Sequence, residues 1–197
     1  GRIASIIDKQ AHKELVDTSG GYGANEFIYN LGSRTTETLR LGNVKVEGGE
    51  GNALYTEAVI RGDAKNFPNV VQVVRLFNKE KRIEFENRLN KLEIRDKEAL
   101  YFAFPFKVEG GKMRLEMTGG VMQIEKDQLP GACRDYVSIQ DGLGIVSKGF
   151  SVLLATPDAP LIVPEKIAVL QFRRSADPDT TTAFSYAMNN YWHTNYK

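Results

Sequence analysis

Short apolar-rich segments recur along this chain about every ten residues, each closed by turn chemistry. The separators are TSGGYG (18–23), EGGEGN (47–52), FPN (67–69), EGGK (109–112), TGG (118–120) and LPG (129–131). This rhythm predicts an all-β fold. In KMRLEMT (112–118), Met113, Leu115 and Met117 alternate with Lys112, Arg114 and Glu116, placing apolar side chains on one sheet face and charges on the other. VVQVVRLF (70–77), ALYFAFPF (99–106), FSVLLAT (150–156) and IAVLQF (167–172) are nearly unbroken apolar runs rich in β-branched and aromatic residues. Such runs predict strands covered on both faces, at the centre of a β-sandwich.

The segment KRIEFENRLNKLEIRDKEAL (81–100) fits two patterns. Ile83, Phe85, Asn87 and Leu89 match a strand, whereas Phe85, Leu89 and Leu92 match a helix supported by Glu84 and Arg88. The strand is favoured, because a solitary helix needs an apolar cover and no second helix is visible. RRSADPDTTT (173–182) is polar and unpatterned, and is expected to be a loop.

At 197 residues the chain is expected to form a single β-sandwich domain spanning 1–197. Its 26 basic and 25 acidic residues leave a formal net charge of +1, without the field that attracts a phosphate backbone, so nucleic acid is not an expected partner. No apolar run approaches the roughly 20 residues of a membrane-spanning helix, and no membrane partner is expected. The single cysteine, Cys133, excludes an internal disulfide and leaves the compartment open. A start at glycine and an end inside an aromatic cluster lead us to expect a fragment of a larger multidomain protein.

Catalytic chemistry is sparse. Only His12 and His193 are available to activate a serine or cysteine, and no GxSxG occurs. Two histidines far apart and one cysteine do not make a zinc site of the usual spacing, so neither catalytic residues nor a metal are expected in this chain. Cys133 is expected to be a small, partly buried residue. GLGIVSKG (142–149) and GGYGAN (20–25) match no phosphate-cradling motif and are read as turns. Glu84, Glu86 and Glu116 are expected on solvated strand faces, and Asp135, Asp141 and Asp158 in turns made by local hydrogen bonds.

The closing NNYWHTNY (189–196) differs in kind. Planar amides suit adjacent hydroxyls, and an aromatic face packs on the C–H side of a pyranose. Asn190, Trp192, His193 and Asn195 are therefore the candidate substrate-binding residues. The alternative makes Tyr191 and Trp192 core residues with satisfied polar tips, and the asparagines turn formers.

GRIASIIDKQAHKELVD (1–17), KRIEFENRLNKLEIRDKEALYFAFPF (81–106), DQLPGACRDYVSIQ (127–140), LLATPDAPLIV (153–163) and FSYAMNNYWHTNY (184–196) together resemble the C-terminal β-region of glycoside hydrolase family 38, the α-mannosidases. The stretch RGDAKNFPNVVQVVRLFN (61–78) is a looser match, and GLGIV (142–146) departs from the pattern. The resemblance implies a galactose mutarotase-like supersandwich, with 81–98 a strand. It implies a parent enzyme that is a retaining α-mannosidase, whose zinc and aspartate nucleophile sit in an N-terminal catalytic domain absent from this chain. The implied partners are that domain and a mannose-containing oligosaccharide, with this chain a scaffold lending side chains to the cleft rim and inactive alone.

Two alternatives remain. A freestanding carbohydrate-binding module would bind mannosides by itself. An aldose epimerase-like protein would require His193 and Glu98 to face one sugar.

Overall fold

The computed structural model describes residues 2–32, 37–168 and 171–191. All regular structure among them is strand, and none is helix. In chain order these are β1 (Ile7–Asp8), β2 (Lys13–Glu14), β3 (Glu26–Leu31), β4 (Glu37–Leu39), β5 (Gly42–Gly51), β6 (Tyr55–Ala64), β7 (Phe67–Phe77) and β8 (Ile83–Asn90). There follow β9 (Glu98–Pro105), β10 (Lys112–Met117), β11 (Gly120–Gln123), β12 (Val137–Ser138), β13 (Gly142–Ser147), β14 (Phe150–Ala155), β15 (Leu161–Pro164) and β16 (Thr182–Asn189). The all-β expectation holds. The chain divides into two compact units, one formed by residues 38–96 and the other by residues 2–37 with those from 97 onward.

The first unit is an antiparallel meander, β5-β6-β7-β8. The 83–90 part of the ambiguous segment is a strand, as expected. Residues 91–97 are not, because β8 pairs only with β7 and that ladder ends at Asn69 opposite Asn90. EGGEG and FPN are strand, not separators, and only Asn52 of EGGEGN lies outside β5. Gly49 lets β5 run against β6, since a Cβ there would stand 2.9 Å from the Glu57 carbonyl oxygen. The turn falls later, where Asn52 Oδ1 accepts the amides of Leu54 at 2.7 Å and Tyr55 at 3.0 Å. The β6-β7 turn is Lys65-Asn66, with Asn66 in the left-handed region at φ 67°. Pro68 is tolerated in β7 because it lies at a register shift, before pairing with β8 begins at Asn69. Val70 to Val73 are buried as predicted, whereas Leu76 is exposed, so the two-face cover is lost toward the strand's end.

One face of this meander is a charge ladder. Arg75 bonds Glu57 at 2.9 Å and Glu86 at 2.8 Å, and Arg88 bonds Glu86 at 2.6 Å. Arg82 pairs with Glu84. Arg75 also faces Glu84 across the strands at 4.0 Å, so Glu84 and Glu86 are both cross-strand partners of Arg75, not merely solvated acids.

The second unit contains five strands, β12-β15-β16-β9-β3, of a six-stranded sheet whose edge strand β4 begins at the unit boundary, a four-stranded sheet, β11-β10-β13-β14, and the β1-β2 pair. β9 lies between β16 and β3, and every residue from Glu98 to Pro105 is buried, which explains its unbroken apolar run. One face of that sheet gathers Ile28, Tyr101, Ala103, Val163, Phe184, Tyr186 and, beyond the strand, Tyr191. On the other, Phe27 meets Phe102 edge-on with centroids 6.3 Å apart.

In the four-stranded sheet the predicted alternation of 112–118 holds, with Met113 and Leu115 buried beside Leu143, Ile145 and Leu154. GLGIV is strand here, and only Lys148-Gly149 turns. β14 is an edge strand whose Leu153 is 80% exposed, so it is not covered on both faces. IAVLQF is corrected outright: Ile167, Ala168, Gln171 and Phe172 lie outside any strand.

Candidate functional site

Of the four candidate binding residues, Asn190 alone lies within the described residues; Trp192, His193 and Asn195 fall outside them. Asn190 is exposed just past β16, and its amide donates to the Glu98 carbonyl at 2.7 Å. Tyr191 turns inward and is buried against the six-stranded sheet, as a core residue. Among the described residues its hydroxyl has no hydrogen-bond partner.

A buried polar cluster lies close by. Tyr29 Oη donates to Glu98 Oε2 at 2.5 Å, and the Tyr101 and Tyr186 rings stack with centroids 4.5 Å apart. Burial is the main cause that raises the phenol pKa of Tyr101, Tyr186 and Tyr191 above the ordinary value; neighbouring tyrosines add to it in Tyr101 and Tyr191, whereas a hydrogen bond with Tyr101 partly offsets it in Tyr186. All three stay protonated at neutral pH and pack rather than transfer protons. Glu98, the carboxylate required by the epimerase alternative, is only 2% exposed.

Loops of the second unit carry a more highly built arrangement. Asp135 is buried, and its carboxylate accepts the amides of Gln171 at 3.1 Å, Phe172 at 2.8 Å and Arg173 at 2.9 Å. This corrects the local-turn reading of Asp135, because its partners are 36 to 38 residues away. It also explains why Gln171 and Phe172 join no strand, since their amides point at a carboxylate instead of a neighbouring ladder. Arg173 donates to Glu165 Oε2 at 3.1 Å and to the Arg134 and Pro164 carbonyls. Arg134, itself buried, donates to Glu125 Oε1 at 2.8 Å and to the Ala132 carbonyl at 2.7 Å. Glu125, Glu165 and Phe172 all have φ between 63° and 70° or, for Phe172, 53°. Non-glycine residues persist there only when their surroundings dictate it.

What this scaffold displays is Phe172, a residue that is 62% exposed. Sequence patterning missed it, because an apolar residue in an apolar run reads as core. Cys133, expected to be partly buried, is exposed. Asp141 and Asp158 are exposed and lie at bends or turns, as expected. On the four-stranded sheet, a groove of about 540 Å³ is lined by Gly142, Gly144, Val121, Val146 and Leu153 among others. Among the described residues, no three His, Cys, Asp or Glu side chains converge to hold a metal.

The model of the glycosyl hydrolases family 38 C-terminal domain matches residues 1–181. The chain belongs to this family. The family 38 assignment agrees with the resemblance carried by RIEFEN, KEALYFAFPF and TPDAPL, and with the all-β architecture. No curated protein matches this family 38 domain.

Proposed function

We propose that this chain is the non-catalytic C-terminal β-region of a retaining α-mannosidase, bracing the catalytic domain and lending loop side chains to the rim of the mannoside cleft. The observation that carries this reading is the family match across residues 1–181. On this reading the two units are portions of a galactose mutarotase-like supersandwich in a larger multidomain glycosidase. Zinc and the attacking carboxylate belong to the catalytic region, and the described residues offer no ligand set that fits the metal. Asn190, Trp192, His193 and Asn195 remain candidates for contact with a mannose-containing oligosaccharide, Asn190 being exposed at the end of β16.

The test compares the full-length parent polypeptide with this chain alone on an aryl α-mannoside. The parent is expected to release mannose and the isolated chain to release none. Release by the isolated chain, or an inactive parent that hydrolyses no α-mannoside, overturns the proposal.

A further inference from the structure

Among the described residues, β14 pairs with β13 alone and forms an edge of the four-stranded sheet. The Thr156 amide donates to the Asp141 carbonyl at 2.8 Å, which fixes the parity of this antiparallel ladder. Phe150, Val152 and Leu154 thus turn their N–H and C=O groups toward β13, and those of Ser151, Leu153 and Ala155 point away from the sheet. All three of the latter are exposed, Leu153 by 80%. The strand presents an open row of donors and acceptors.

Other strands at sheet edges are protected against strand addition. Those of β1, β2, β4, β11 and β12 are four residues long or shorter. β5 carries Lys45, Glu47 and Glu50, and β8 carries Glu84, Glu86 and Arg88. Short length and charge are two of the devices that blunt an edge. β14 has neither, since Phe150 to Thr156 contains no charged residue and no proline.

The strand is also its own complement. An antiparallel match centred on Leu153 sets Leu153 against Leu153 of a second copy and Ser151 against its Ala155, so that every outward N–H meets an outward C=O. The side chains brought together are an apolar pair flanked by small residues, and no charge is opposed or buried. A formal net charge of +1 gives two copies no long-range repulsion. An edge reserved for an unlike strand has no need of this symmetry. We propose that β14 is a self-association edge, through which two copies of this chain join β14 to β14 about a two-fold axis at Leu153 and continue one four-stranded sheet into the other. The inference uses only the strand edge and stands apart from the mannosidase reading.

The test measures the oligomeric state of the full-length parent polypeptide by sedimentation over a concentration series, with Leu153→Lys and Leu153→Glu beside the unaltered protein. The unaltered protein is expected to be a dimer. Each charged variant sets like charges against each other at the two-fold axis and should raise the dimer Kd about tenfold or more. Because Leu153 is exposed, Tm extrapolated to the monomer should stay unchanged. An equimolar mixture of the Lys and Glu variants should restore the dimer, since opposite charges then meet across the axis. A parent that is monomeric at every concentration overturns the proposal and points to an edge covered by another strand of the same polypeptide. A dimer that Leu153→Lys leaves intact overturns it as well, because the contact then lies elsewhere. Should both charged variants lose stability, the mixture still decides, and failure of the mixed dimer to form overturns the pairing.

Discussion

Tyr29 and Glu98, from adjacent strands β3 and β9, share a 2.5 Å hydrogen bond in a region where both side chains are essentially closed to solvent. Removing the phenol oxygen takes a donor from a buried carboxyl group. Tyr29→Phe is therefore expected to destabilise the fold by about 1–3 kcal/mol, read from urea unfolding. A value near zero would mean that the bond contributes nothing net.

The opposite sign is expected at Tyr191. Among the described residues its buried hydroxyl has no hydrogen-bond partner to offset the loss of water. Tyr191→Phe should leave stability within about 0.5 kcal/mol of the parent or increase it. A loss comparable to that of Tyr29→Phe would show that the hydroxyl is engaged in solution.

Asp135→Ala removes the acceptor of three amides and leaves Arg173 without its nearest buried carboxylate, 3.5 Å from Nε. The expected loss is about 3 kcal/mol, with faster hydrogen exchange confined first to the amides of 171–173. If those three amides exchange at parental rates, Asp135 does not hold the loop.

Gly142→Ala places a methyl group 2.6 Å from the Leu154 carbonyl oxygen across the β13–β14 pair. Backbone cannot yield as a flexible side-chain tip does, so a cost of about 1–3 kcal/mol is expected by thermal or urea denaturation. Gly110→Ala is a useful contrast, because nothing lies near its added carbon and any cost there comes from its φ of 63° alone.

Acid should destabilise the protein. Asp17 is lowered by hydrogen bonds from Ser19, and Glu86 by those from Arg88 and Arg75. In Glu14 and Glu165 burial acts upward, but hydrogen bonds outweigh it, from Ser5 and backbone amides in the first and from the Asp177 amide and Lys166 in the second. Folded values below unfolded ones mean that the stabilisation is present above the unfolded pKa and is lost as pH falls through the folded pKa. The urea midpoint should hold at neutral pH and drop once pH passes below about 4. Glu14→Gln combined with Asp17→Asn should flatten that decline, and an unchanged slope would contradict the assignment.

Local pattern and composition determined the all-β class, the alternation of Met113 and Leu115 against Lys112 and Arg114, the buried run of β9, and the loop at 173–181. These follow from the two-residue period of a strand and the preference of apolar surface for burial, which a short window contains in full. The tertiary structure decided what depends on distant partners. Leu153 is exposed because it points to the open face of its sheet while Leu154 points inward, and EGGEG is strand because Gly49 packs closely against Glu57 of β6. Phe172 leaves its apolar run because Asp135, 37 residues earlier, accepts its amide. No window of sequence contains both halves of that interaction. Where a strand stops and which aromatic faces solvent are set by which hydrogen-bond partner the folded chain brings within reach.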